Sequence, residues 1–172
     1  MKRIKNLIIW MFGLSLGFSS CNKNDANPIY ISLPIVETFE PMMKEIIIYE
    51  TNDKPSFREH VYVVNSIDEL PNDYIFGNDE FLDKDIDFSQ YSLIIFYDHE
   101  FGKIVSTRCR WVYATDFNKY QVSISYEIEK GSDVVDGEFD LVTYVRGAML
   151  VDQIPSSSDV IMSVGVFGVD PK

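Results

Sequence analysis

The sequence is poor in the residues that carry most metal and nucleophilic chemistry: it has two histidines and two cysteines in 172 residues. That is too few for a multi-cysteine zinc site or a disulfide framework. Basic residues are scarce too, with 15 Lys and Arg against 27 Asp and Glu, a formal net charge of −12. This balance argues against a nucleic-acid partner, because phosphate binding needs clustered Lys and Arg. There is no Gly-x-Ser-x-Gly, no Gly-rich phosphate loop and no His-Glu-x-x-His, so no metal or other cofactor is expected. No internal repeat and no long amphipathic helical pattern follow the first twenty residues. What remains is a globular balance, 46% hydrophobic and 24% charged, with 10 Tyr and 12 Phe favouring strands. The length suits one domain.

The N-terminus is organised in three parts. Lys2, Arg3 and Lys5 form a basic start, Leu7 to Phe18 is an uncharged run of 12 residues, and Ser19, Ser20 and Cys21 follow. The run is too short to span about 30 Å of hydrocarbon, which takes roughly 20 residues, and the layout is that of a secretory signal. Phe18-Ser19-Ser20-Cys21 resembles the lipobox of bacterial lipoproteins, with Phe18 where that family usually has Leu. The resemblance implies cleavage before Cys21, a diacylglyceryl group on its thiol, and residence in the cell envelope, anchored to the outer membrane. Removal of residues 1–20 leaves 12 Lys and Arg against 27 Asp and Glu, a net charge of −15. Such a chain does not adhere to anionic lipid by charge, so the acyl chains must hold it there. Asn22 to Pro34 mixes Asn, Asp, Pro and small residues and reads as a tether. The expected division is a signal peptide at 1–20, lipidated Cys21 and tether at 21–43, and one globular domain at 44–172.

That domain reads as strands. Apolar runs rich in Ile, Val, Tyr and Phe occur at Glu45 to Tyr49, Val61 to Val64, Tyr91 to Tyr97, Ile104 to Tyr113, Tyr120 to Ile128, Phe139 to Val145 and Val160 to Phe167. Met149 to Ile154 adds an eighth. The continuously apolar Tyr91 to Tyr97 predicts a strand covered on both faces, whereas Tyr120 to Glu129 alternates apolar and polar residues without exception. Ser66 to Glu69 matches a helix capping box stopped by Pro71, and Asn78 to Leu82 suits one further helical turn. The fold class is therefore mainly β, an antiparallel sandwich or barrel of about seven or eight strands with one or two short helical turns.

Strand phase makes a pairing prediction. If Tyr113 faces Tyr120, paired numbers in the two long strands sum to 233, and Trp111, Cys109, Thr107 and Val105 meet Val122, Ile124, Tyr126 and Ile128. All of these belong to core-side sets. The opposite face then carries Arg108 and Arg110 beside Ser125 and Ser123, with Glu127 diagonal to Arg108.

Ser66, Glu69, Leu70, Asp87, Phe88, Tyr91 and the run Leu93 to Phe96 form a capped turn, an Asp-containing loop and a buried strand. This segment resembles the C-terminal domain of dentilisin protease-complex accessory subunits. Of the glycines and the proline that its members often carry, Gly102 and Gly147 are present here and the Pro near Arg146 to Leu150 is not. The resemblance implies a small β domain that binds partner proteins, and no catalysis.

Candidate chemistry is sparse. Cys109 shares a strand face with core residues and reads as a small buried hydrophobe, not a nucleophile. Asp98-His99-Glu100 follows an apolar strand and reads as a polar turn in preference to a metal ligand set, since three adjacent residues on an extended chain do not converge on one ion. Asp79, Glu80, Asp83, Asp85 and Asp87 have the alternate acids of a calcium loop, but the EF-hand pattern fails because Phe88 stands where the turn glycine belongs. A solvated acidic loop is the plainer reading. Arg108 and Arg110 form the candidate partner-binding face, the place on an acidic chain where an acidic or planar partner would dock. The leading expectation is a non-catalytic binding or accessory module on a membrane that engages another protein. Carbohydrate binding through the many aromatics is the alternative, and a hydrolase using Asp or Glu is a third, although nothing selects a carboxylate pair.

Overall fold

A computed structural model describes residues 29–48, 60–115, 117–135, 139–155 and 158–171. Two sheets face each other and are not closed into a barrel. The strands are β1 (Tyr30–Ser32), β2 (Glu37–Ile48), β3 (His60–Val64), β4 (Tyr91–Phe101), β5 (Ile104–Ala114), β6 (Lys119–Glu129), β7 (Val134–Val135), β8 (Phe139–Asp152) and β9 (Val160–Val169). One sheet has the order β1-β5-β6-β9, the other β2-β8-β4-β3, with β7 added beside β8. A 3-10 turn (Ile67–Glu69) and the single-turn helix α1 (Asp79–Leu82) are the helical elements among the described residues.

Between the sheets lies a core of Ile94, Phe96, Trp111, Val122, Ile124, Tyr126, Val145 and Met149. The second face of β4 and β8 is buried as well. Leu93, Ile95, Tyr97, Ala148 and Leu150 pack there against Phe81, Leu70, Phe76, Ile86 and Phe88 from the segment between β3 and β4. This double cover is why Tyr91 to Tyr97 is apolar without alternation.

The β5–β6 pairing keeps the predicted register from Ser106↔Glu127 to Ala114↔Lys119. At its far end a bulge pairs Ile104 with Ile128 and leaves Val105 out. Val105, predicted to be core, is therefore 45% exposed, and Ile104 is buried in its stead. The extra residue inverts the phase beyond it.

Three other expectations are revised. Residues 30–32 and 37–43, expected in the tether, already lie in strands: β1 pairs with β5, and β2 pairs with β8. Their sequence alternates poorly and includes Pro41, and the neighbouring strands impose the extended conformation. Pro41 sits where the β2–β8 register shifts between Phe39 and Met42, a place that tolerates a missing N–H. Secondly, Phe139 to Val145 and Met149 to Ile154 are not two strands; β8 runs through Arg146 and Gly147. Thirdly, β9 pairs with β6 in parallel, so one pairing departs from the antiparallel scheme.

Candidate functional site

Register brings the two predicted arginines together over one patch of sheet. Arg110 stands in a row with Ser123 and Ser163, Arg108 with Ser125 and Gly165, and Ser106 with Glu127 and Phe167. The floor beside both arginines is thus made of small residues. The result is a shallow concavity of ≈ 260 Å³ lined by Ser106, Arg108, Arg110, Ser125, Glu127 and Phe167.

Arg108 leans diagonally across β6, its Nη2 3.7 Å from Glu127 Oε1, with 78% of its side chain exposed. A pair so open contributes about 0–1 kcal/mol. The same carboxylate already accepts a 2.8 Å hydrogen bond from Ser106 Oγ through its other oxygen. Arg110 has no ion-pair partner among the described residues. Two guanidinium groups, each a planar set of five N–H donors, are therefore offered outward on an acidic molecule. Phe167, 58% exposed, closes one end with an apolar ring.

A second charged cluster escaped the sequence reading. Arg146, central in β8 and 2% exposed, lies beneath the segment between β3 and β4. Its Nη1 is 3.0 Å from Asp73 Oδ2 and donates to the Gly77 carbonyl, while Nη2 pairs with Glu80. Its guanidinium also stands over the Phe81 ring, 4.9 Å from the centroid. Asp73 in turn accepts from the Tyr97 hydroxyl at 2.9 Å and from the backbone N–H groups of Ile75 and Phe76. Burial, then the Asp73 carboxylate, raises the Tyr97 pKa well above the ordinary tyrosine value. The available signal was an arginine inside an otherwise apolar stretch, which must find a carboxylate if the strand is buried.

The other predicted residues are dispersed. Asp98, His99 and Glu100 do not form a turn; β4 continues through them to Phe101, and the chain reverses at Gly102, whose φ is 101°. A Cβ at Gly102 would lie 2.9 Å from both Ile128 Cγ2 and Ser132 Oγ, which fixes the turn two residues beyond the polar triplet. Alternation along the strand separates the triplet. Asp98 is buried, and together with burial its carboxylate raises the Tyr126 pKa, whereas His99 stacks on Tyr144 at 6.0 Å. In the acidic run, Glu80 turns to Arg146, and Asp87 accepts from the N–H and Oγ of Ser89. No group of three or more His, Cys, Asp or Glu side chains that could hold a metal occurs among the described residues. Cys109 packs on the core side but is partly and not fully buried, and burial pushes its thiol up to about 11. Cys21 lies outside the described residues. Among the described residues the large exposed aromatics, Tyr30, Tyr74, Phe101, Phe117 and Phe167, come from five separate stretches of chain.

Comparison of the chain with protein-family models, with curated proteins and with solved structures gave no match.

Proposed function

We propose that the protein is a bacterial envelope lipoprotein, anchored through acylated Cys21, whose β domain is an accessory module that holds another protein at the membrane. The observation that supports protein docking is the Arg108–Arg110 concavity, a cationic surface on a chain of net charge −12. Guanidinium pairs favour carboxylates, and surface charge of opposite sign steers encounter. The resemblance to dentilisin accessory subunits points the same way. The anchor is inferred from the basic, apolar, small-residue and Cys order of residues 2–21.

Eight residues separate Cys21 from β1. Fully extended they span at most about 28 Å, so the sandwich works close to the bilayer and its partner must present itself there.

The test is metabolic labelling with an alkyne palmitate analogue, membrane fractionation and mass spectrometry of the mature N-terminus. Acylated Cys21 as the first residue is expected, with Cys21→Ser unlabelled and released from membranes. A free Ser19 or Ser20 terminus, or an intact Met1, would refute the anchor. Cross-linking in intact membranes then tests the accessory role: cross-links to a second protein support it, and cross-links within this chain alone refute it.

A further inference from the structure

We infer that the end of the sandwich at the β5–β6 turn lies in the lipid interface, with Ile29, Tyr30, Ile31 and Phe117 as its contact. The inference rests on the anchor reading above and adds to it the surface through which the domain meets the bilayer.

Two stretches far apart in the chain meet at this end. Tyr30 pairs with Ala114 and Ile31 with Tyr113, and the Ile29 carbonyl accepts from the backbone N–H and the Oγ1 of Thr115, both at 3.1 Å. The Phe117 N–H closes the turn on the Ala114 carbonyl at 3.2 Å, and Asn118 follows with a φ of 53°. Around this one turn Ile29 is 63% exposed, Phe117 57%, and Tyr30 and Ile31 49% each. An apolar patch of this kind marks a protein or membrane contact. Beside it Tyr113 and Tyr120 pack edge to face with ring centroids 5.5 Å apart, and the Tyr113 hydroxyl donates to Asn118 Oδ1 at 2.5 Å. Rings with an apolar body and a polar tip are the kind that settle at the level of lipid headgroups.

Chain path and charge select lipid as the occupant. Ile29 follows Cys21 by eight positions, at most about 28 Å of extended chain, so this end is the part of the domain held nearest the acyl chains. The other end of β5, at Ile104, stands ten residues along the strand from Ala114, about 33 Å away. Within residues 29–33 and 113–120 the sequence has two charges, Asp116 and Lys119, which cancel, and Lys119 also pairs with Asp159 at 2.5 Å. A mature chain of net charge −15 is repelled as a whole by anionic lipid, whereas these stretches carry no net charge and can enter headgroups by apolar burial. In that orientation β5 rises from the membrane. Arg110 and Arg108 stand four and six residues from Ala114, roughly 13 and 20 Å up the strand, so their concavity opens above the headgroups.

The experiment reconstitutes the mature, acylated protein in phosphatidylcholine vesicles with and without brominated phosphatidylcholine, which quenches tryptophan inside the bilayer. Removal of residues 1–20 leaves Trp111 as the one tryptophan, and at 3% exposure it gives a constant background. Phe117→Trp is expected to lose at least half of its added emission in the brominated vesicles, and to do so in about 1 M salt as well, because the contact is apolar. Phe101→Trp, beyond the opposite end of β5, is expected to lose none. Ile29→Ser with Ile31→Ser should reduce the quenching at position 117 at least twofold with the melting temperature unchanged, since both side chains are exposed, and Ile29→Leu with Ile31→Leu should preserve it. Three results on vesicles that carry the protein overturn the inference and leave the anchor standing: no quenching at 117, equal quenching at 117 and 101, or quenching at 117 that the serine pair does not reduce. A Cys21→Ser chain that dimerises in detergent-free buffer and dissociates on Phe117→Asp would assign the face to a second copy and overturn it too. Protein with no acyl group on Cys21, separated from the vesicles on flotation, overturns the anchor and the inference together.

Discussion

Gly147 and Arg146 show at residue scale how one strand can look broken in sequence and be continuous in space. The Phe96 ring lies where a Cβ of Gly147 would stand, with Cζ 2.0 Å and Cε1 2.5 Å from that point. Phe96 is itself 1% exposed and has nowhere to swing. Gly147→Ala is therefore expected to cost about 1–3 kcal/mol by overpacking, read as a lower urea midpoint. Phe96→Leu in the same chain should recover part of the loss, because the two sites share one volume. For Arg146→Met the expected loss is about 3–5 kcal/mol, since Asp73, 2% exposed at its side chain, stays buried without its cation. Adding Asp73→Asn should restore a share of it; equal urea midpoints for Arg146→Met and the parent would show that the cluster contributes nothing. The sequence hints that Arg146 needs a carboxylate but not which one, and it gives no sign of the Gly147 contact. A buried arginine and a lone glycine carry the same local signature as a turn, and Phe96 and Asp73 lie 51 and 73 residues away from them.

Elements were more readable when their two faces differ. The alternation of β6 against β5 predicted the register, and Trp111 is buried and stacked on Tyr120 at 5.3 Å as that register requires. It failed at Val105, because a bulge is a backbone event with no side-chain marker here. The β9 edge allows a further test. Val166→Lys places a charge on an exposed, unprotected edge and should reduce self-association of the purified chain, measured by analytical ultracentrifugation, with the melting temperature little changed. If the sedimentation profile does not respond, the edge is not adhesive.

For the whole molecule, the titratable groups between and beside the sheets predict alkaline instability. Burial raises Cys109 to about 11 from an ordinary 9.0, and burial, reinforced by Asp73 at Tyr97 and by Asp98 at Tyr126, raises those hydroxyls and that of Tyr144 above 10.0. A folded pKa above the unfolded one means that stability is fully present below the unfolded value and is lost as pH rises through the folded one. Urea midpoints should therefore be level from pH 7 to about 8.5 and fall from about pH 9 upward. Cys109→Ala should flatten the decline between about pH 9 and 10 and leave the tyrosine part, which sets in near pH 10. A midpoint unaffected up to pH 11 would show that the thiol is not held in its neutral form.

The sequence by itself determined the mainly β class, most strand positions, the β5–β6 register and the outward placement of Arg108 and Arg110. All of these follow from local alternation, which one chain carries in full. Tertiary structure alone decided that residues 30–32 and 37–43 are strand, that β8 is continuous, that β9 lies parallel to β6 and is the last strand of its sheet among the described residues, and that Arg146 is buried on two carboxylates. Each depends on a partner distant in the chain, and burial between distant segments leaves no period in the sequence that records it.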